Sequence, residues 1–209
     1  MVAHGADTQL VVRDLSSFDA KLIPGTEGAT TPFFSPDGEW LAFMAPGKIK
    51  KIPVNGGAAI DVTDVPSSIG STIGGTWLAD GTIVFNSGMT AGLVRVPASG
   101  GKAEAVNRPD DKKGMAWEWW PEALPGGDVL FTQRSGEGPG ESTIAVVSLK
   151  TGKCKTVVER GEYAHYAPGG RIVYLQNGVL LAVPFDERKM EVTGPAEPVL
   201  EGVQYTPSS

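Results

Sequence analysis

Four closely similar turns, Ser35-Pro36-Asp37-Gly38, Leu78-Ala79-Asp80-Gly81, Leu124-Pro125-Gly126-Gly127 and Ala167-Pro168-Gly169-Gly170, predict an all-β chain folded as a β-propeller. Their third residues lie 43, 46 and 43 positions apart (37 to 80, 80 to 126, 126 to 169), a period in the range of four-stranded blades. The segments between the turns are short apolar or alternating runs, and helical periodicity of useful length appears nowhere. The prediction is four full antiparallel blades plus part of a fifth.

The partial blade spans 8–27, with strands at Thr8 to Leu15 and Ala20 to Pro24. The first full blade (28–65) is the clearest. Thr31 to Ser35 leads into the Asp-Gly turn, Glu39 to Ala45 follows as an apolar strand, and Lys48 to Val54 alternates before Asn55-Gly56-Gly57. Asp-Gly between apolar runs is a strong hairpin signal, because glycine accepts the positive φ that the turn needs. The second blade (70–107) repeats this order through Thr76-Trp77-Leu78, Thr82 to Asn86, Gly92 to Pro97 and Lys102 to Val106. The third (115–160) carries an enlarged hairpin loop at Arg134 to Ser142, whose composition is the most flexible in the chain. The fourth (161–201) uses Tyr163 to Tyr166, Arg171 to Gln176, Val179 to Phe185 and Glu191 to Leu200. A terminal strand at 202–209 starts a blade that it does not finish. Either it completes the N-terminal pair and closes a five-bladed ring, or the open edges pair with a second copy.

With 209 residues the chain is sized for one domain with a substantial core. Its 24 acidic residues outweigh 18 Lys and Arg, and the net charge of −6 argues against a nucleic-acid partner. The densest basic cluster, Lys48, Lys50 and Lys51, alternates with isoleucines and reads as the wet face of a strand. Cys154 is the single cysteine, so no internal disulfide forms. Its neighbours Lys153 and Lys155 carry charges of the sign that lowers a thiol pKa slightly, but a solvent-facing or half-buried strand residue is the favoured reading, since no partner pattern surrounds it. Apolar runs are too short for a membrane helix, and Met1 to Leu10 lacks the pattern of a signal peptide, so the expectation is a chain that does not insert into a membrane.

The run Pro32-Phe33-Phe34-Ser35-Pro36-Asp37-Gly38-Glu39-Trp40-Leu41-Ala42-Phe43, followed by Lys50-Lys51-Ile52-Pro53-Val54-Asn55-Gly56-Gly57, resembles the TolB-like, WD-repeat-like propeller blade of bacteria. Pro24 to Ala29, Val94 to Gly101 and Leu180 to Asp186 are similar to propellers attached behind the membrane anchor of bacterial eukaryotic-like serine/threonine kinases. That resemblance implies a sensor or interaction platform outside the cytoplasm. Val2-Ala3-His4-Gly5 resembles the middle of a second strand in such proteins, which implies that the chain is a fragment. No kinase Gly-rich loop, His-Arg-Asp or Asp-Phe-Gly motif is present, so this stretch is not a kinase.

Phe33, Thr76, Glu122 and His165 occupy equivalent positions, three residues before the Pro or Ala that begins each turn triplet. Glu122 and His165 would then share one level of the channel that inner strands line. With Glu118 and Glu162 they form a candidate ligand set for a divalent cation such as calcium, magnesium or zinc. Such a site would support hydrolysis of lactones or phosphoesters, as in the distantly similar gluconolactonase and paraoxonase propellers, with His165 and Glu122 catalytic. Ordinary channel-lining polar residues are the alternative explanation. Trp117, Trp119 and Trp120 make a candidate aromatic platform for a sugar, peptide or cation at the channel mouth; the alternative is that they wedge between blades. Asp37 and Asp80 belong to their turns, and no Gly-x-Ser-x-Gly elbow exists. Three functions follow as expectations: a non-catalytic module binding a protein or small-molecule ligand, a metal-dependent hydrolase, and a self-assembling scaffold.

Overall fold

The computed structural model describes residues 2–4, 7–65, 74–86, 88, 92–107, 116–135 and 142–204. Regular structure among them is entirely β. The N-terminal segment forms β1 (Val2–His4), β2 (Asp7–Gln9), β3 (Val11–Arg13) and β4 (Ala20–Leu22), with β1 paired to β2 and β3 to β4. The single strand expected at Thr8 to Leu15 is thus divided into β2 and β3, each in a separate two-stranded pairing, and β1 precedes the segment read as the partial blade.

The first full repeat is β5 (Thr30–Phe34), β6 (Trp40–Ala45), β7 (Lys48–Pro53) and β8 (Ile60–Asp64), an antiparallel meander in that order. The second is β9 (Gly75–Trp77), β10 (Thr82–Asn86), β11 (Leu93–Pro97) and β12 (Glu104–Ala105). The third is β13 (Ala116–Ala123), β14 (Val129–Ser135), β15 (Ser142–Val147) and β16 (Cys154–Val158). In the fourth, β17 (Glu162–Ala167), β18 (Arg171–Gln176) and β19 (Val179–Asp186) are followed by an outer strand in two pieces, β20 (Glu191–Val192) and β21 (Glu197–Leu200), both paired to β19. The single outer segment expected at Glu191 to Leu200 is divided around Gly194-Pro195, since proline cannot donate to a ladder. Most of the loop expected at Arg134 to Ser142, and the end of the terminal strand expected at 202–209, lie outside the described residues.

The turns perform as their chemistry predicts. Asp37 Oδ1 accepts from Ser35 Oγ and the Glu39 amide, and Asp80 Oδ1 accepts from the Thr82 amide at 2.9 Å. These acids are engaged locally. Ser35 N reaches Trp40 O, whereas Leu78 N reaches Thr82 O and Leu124 N reaches Asp128 O, so the first turn is one residue longer than the next two.

Two compact units divide the chain: residues 1–88 with 94–104, and residues 89–93 with 105–209. In the first, β6 is buried along its middle and feeds two cores. Ala42 and Met44 join Ile49, Ile83, Phe85 and Val96 on one side, while Leu41 and Phe43 join Leu10, Ile23, Ala29 and Ile52 on the other. Successive residues of a strand point to opposite faces, so an uninterrupted apolar run serves two neighbours at once. In the second unit, Leu130, Ile144, Val146, Ile172, Tyr174 and Val183 form the corresponding core between repeats three and four. The basic run resolves as expected: Lys48 pairs with Asp61 and Asp64, Lys50 with Asp61, and Lys51 lies 5.0 Å from the Trp40 ring centroid.

One backbone feature recurs in all four repeats. Thr31, Gly74, Trp120 and Tyr163, each six residues before the third turn residue, have φ of 43°, 98°, 50° and 54°. At Thr31, Trp120 and Tyr163 the ladder also slips, so that one extra residue is accommodated on the first strand. Glycine fits this left-handed region without penalty; threonine and aromatic residues do not. Next to the kink, Gly75 has no Cβ because one would land on the Phe33 ring.

Gly75→Ala is expected to lower stability by about 1–3 kcal/mol through overpacking against Phe33, read as a fall in the urea midpoint. An unchanged midpoint would show that the Phe33 ring gives way freely.

Candidate functional site

The first strands of repeats three and four carry most of the residues singled out by sequence. Their geometry is set by the bulges. On β13, Glu118 pairs with Gln133 and Glu122 with Leu130, a step of four residues against three. Regular alternation would put both carboxylates on one face; the extra residue sends them to opposite faces. On β17, Glu162 pairs with Leu175 and His165 with Val173.

Glu122 thus turns toward repeat four. Its Oε2 lies 2.6 Å from His165 Nδ1, and its Oε1 accepts from the Tyr166 amide at 2.9 Å. Oε2 orients the imidazole while Oε1 is held by the Tyr166 amide, which leaves His165 Nε2 as the nitrogen available to a ligand; the His165 side chain is 76% exposed and that of Glu122 28%. The hydrogen bond and charge of Glu122 raise the His165 pKa against the opposing effect of burial. The arrangement is an oriented imidazole able to donate or accept a proton at its outer edge.

Glu118 turns the other way and is 1% exposed. It accepts from the Leu93 amide at 2.9 Å and from Asn107 Nδ2 at 2.7 Å, and burial pushes its pKa up. It is therefore a structural acceptor that satisfies buried donors, which corrects its assignment as a metal ligand. Glu162 is half-buried, with its pKa raised by burial and moderated by the charge of Arg134. Among the described residues no three His, Cys, Asp or Glu side chains converge to hold a metal ion. The four expected ligands do not assemble; only Glu122 and His165 meet, fewer donors than calcium, magnesium or zinc sites use.

The tryptophans are brought together, with unequal access. Trp119 is 3% exposed and belongs to the core, so it is no platform. Its ring lies 4.9 Å from Trp117 and 5.4 Å from Trp120, and the Arg134 guanidinium lies 5.8 Å from it. Trp120 is half-buried and stacks on Tyr163 at 4.0 Å between centroids and 28° between planes. Tyr163 was not singled out by sequence. The available signal was its offset from the fourth turn, identical to that of Trp120 from the third. Trp117 Nε1 and Thr132 Oγ1, in the same sheet, are buried with no hydrogen-bond partner among the described residues.

Cys154 is exposed, and Asn107 Nδ2 lies 3.3 Å from its sulfur. Partial burial of the thiol raises its pKa, so the flanking lysines do not activate it, and Lys155 is turned to Glu191 at 2.7 Å.

No protein-family model matches the chain, and no curated protein matches it by sequence. Solved structures match its fold. TolB from Acinetobacter baumannii superposes with a TM-score of 0.65 at 15% identity, covering 94% of this chain and 52% of that one. Regucalcin from Agrobacterium tumefaciens, described as a calcium-binding protein, gives 0.62 at 15% identity over 81% of this chain and 58% of that one. A chain from a nidogen/laminin complex gives 0.65 at 12% identity over 89% of this chain and 70% of that one. The fold is that of a β-propeller with four-stranded antiparallel blades. The chain spans little more than half the length of the TolB and regucalcin structures.

Two outcomes follow. Glu118→Ala leaves the Leu93 amide with Asn107 Oδ1 as its acceptor but takes from buried Asn107 Nδ2 its carboxylate partner, and is expected to cost about 1–3 kcal/mol, measured by denaturant unfolding, with Glu118→Gln costing clearly less. For His165 the folded pKa is the higher one, so the stability supplied by the Glu122 pair is complete below the ordinary imidazole range and is lost as pH rises through the raised value. An NMR titration of Glu122→Gln should return the His165 pKa toward normal, and no change would separate the two groups in solution.

Proposed function

We infer that this chain is a non-catalytic, ligand-binding β-propeller module whose site lies on the first strands of repeats three and four. The observation that carries this reading is the placing of Trp120 and Tyr163 in left-handed backbone conformations, stacked on one another, two residues from the Glu122–His165 pair. Non-glycine residues at such φ cost of order 1–3 kcal/mol each and are concentrated at functional sites. Repeat two resolves the same kink with Gly74, so the fold has a less strained solution that the aromatic positions do not use. First strands of a propeller line its channel, where ligands commonly bind. The aromatic pair supplies an apolar surface and His165 Nε2 a polar contact, while Trp117 Nε1 and Thr132 Oγ1, without a partner among the described residues, add buried hydrogen-bonding capacity in the same sheet. The resemblance to kinase-attached propellers supports a role as the sensing part of a larger signalling protein, and the likeness to a chain from a nidogen/laminin complex is compatible with a protein ligand.

A hydrolase is the second reading, favoured by the buttressed imidazole. His165, oriented through Nδ1 by Glu122, would take a proton from water at Nε2.

Titration of the chain with monosaccharides, their lactones and short peptides, followed by tryptophan fluorescence, distinguishes the readings. Saturable binding weakened at least tenfold by Trp120→Ala and by Tyr163→Ala, with every probe recovered unchanged, is the expected result. Binding unaffected by either substitution would overturn the assigned site. Lactone turnover abolished by His165→Ala would establish the hydrolase.

A further inference from the structure

A second site lies in the first unit, on residues that take no part in the aromatic site. In repeat one the Gly-Gly turn is followed by the five-residue outer strand β8, but in repeat two Gly100-Gly101 is followed by only the two residues of β12. The Gly101 amide is anchored on Val62 O at 3.1 Å, and Lys102 and Ala103 then run outside any ladder. The core between repeats one and two is consequently left open at its outer end. The opening is a cleft of about 650 Å³, a size typical of sites for small organic ligands.

Its floor is apolar: Val62, Val65 and Phe85 belong to the core, and Val94 and Ala103 pack on it. Its rim is charged, and the charges are unequally engaged. Asp61 is held by Lys48 and Lys50, and Asp64 by Lys48. Lys102 is exposed and has no ion pair among the described residues. It also borders an adjoining cleft of about 380 Å³, where Arg95 is paired with Glu104 at 3.6 Å. The lining holds two lysines and two aspartates, but both aspartates are engaged by Lys48, with Lys50 adding to Asp61 from outside the lining, so Lys102 is the rim charge left without an ion pair among the described residues.

We propose that the cleft binds an amphiphilic organic anion, a carboxylate on an unbranched alkyl chain, with the chain on the Val62, Val65, Phe85, Val94 and Ala103 floor and the carboxylate on Lys102. Burying the alkyl chain supplies about 0.8 kcal/mol per methylene, and the unpaired ammonium chooses the sign of the head group. A cation of equal length would meet Lys102 with like charge. The site is independent of the one on repeats three and four, so each stands or falls alone.

Calorimetric titration of the full chain with decanoate, decanol and decyltrimethylammonium, below their aggregation concentrations, tests the assignment. Decanoate is expected to bind with one-to-one stoichiometry and at least tenfold more tightly than the other two. Lys102→Glu should abolish that preference, and Lys102→Ala should reduce it, both with unchanged circular dichroism, since Lys102 is on the surface. Ala103→Trp should block all three ligands by filling the cleft. Equal affinity for the three, absence of decanoate binding, or decanoate binding indifferent to Lys102 would each overturn the proposal. So would a sedimentation result in which the cleft is covered by a second copy of the chain, lost on Ala103→Trp, with no decanoate bound.

Discussion

The structure depends on strands that must be apolar on both faces. β6 gives Leu41 and Phe43 to one core and Ala42 and Met44 to another, and the core between repeats three and four draws in the same way on β14, β15 and β18. No blade can bury both its faces alone. Stability therefore comes from stacking, as in other repeat architectures, and a repeat is only as well defined as its neighbours. This explains why the outermost elements have weaker burial: β4 is exposed throughout, and so is β21, with Val199 and Leu200 more than half exposed. It also explains the open cleft, since shortening one outer strand uncovers an interface that belongs to two repeats.

Against this uniform packing, the first strands are where the repeats differ. All four share a left-handed residue at the same offset, and three of the four share a one-residue slip of register there. A kink that recurs at one offset belongs to the fold. The residue placed on it belongs to the individual repeat: threonine in one, glycine in two, tryptophan and tyrosine in three and four. The last two stack, and the imidazole–carboxylate pair lies two residues further along both strands. Strain is thus tolerated where side chains from adjacent repeats converge.

Polar satisfaction accounts for the other departure from expectation. A glutamate in a first strand reads naturally as a channel-facing ligand, but Glu118 has its oxygens committed to Leu93 and Asn107 in a closed interior. A buried amide and a buried side-chain donor need an acceptor, and a carboxylate provides two. Burial raises its pKa, and that same desolvation makes it a poor resident ligand for any solvent-borne ion.

The sequence by itself determined the β class, the blade period, the turns and most strand positions, because these rest on local chemistry: Asp-Gly and Gly-Gly geometry, two-residue alternation and side-chain capping by Asp37 and Asp80. It also placed Glu122 and His165 at one level, since equal offsets from equal turns give equal heights. Only the tertiary structure decided which side chains face each other. A single bulged residue reverses the facing of everything before it on the strand, and no composition or period announces that slip, so Glu118 parted from Glu122, Trp119 went to the core, and Tyr163 came to rest on Trp120. The contrast is physical: turns are set by a few consecutive residues, whereas facing is set by register against a strand many residues away.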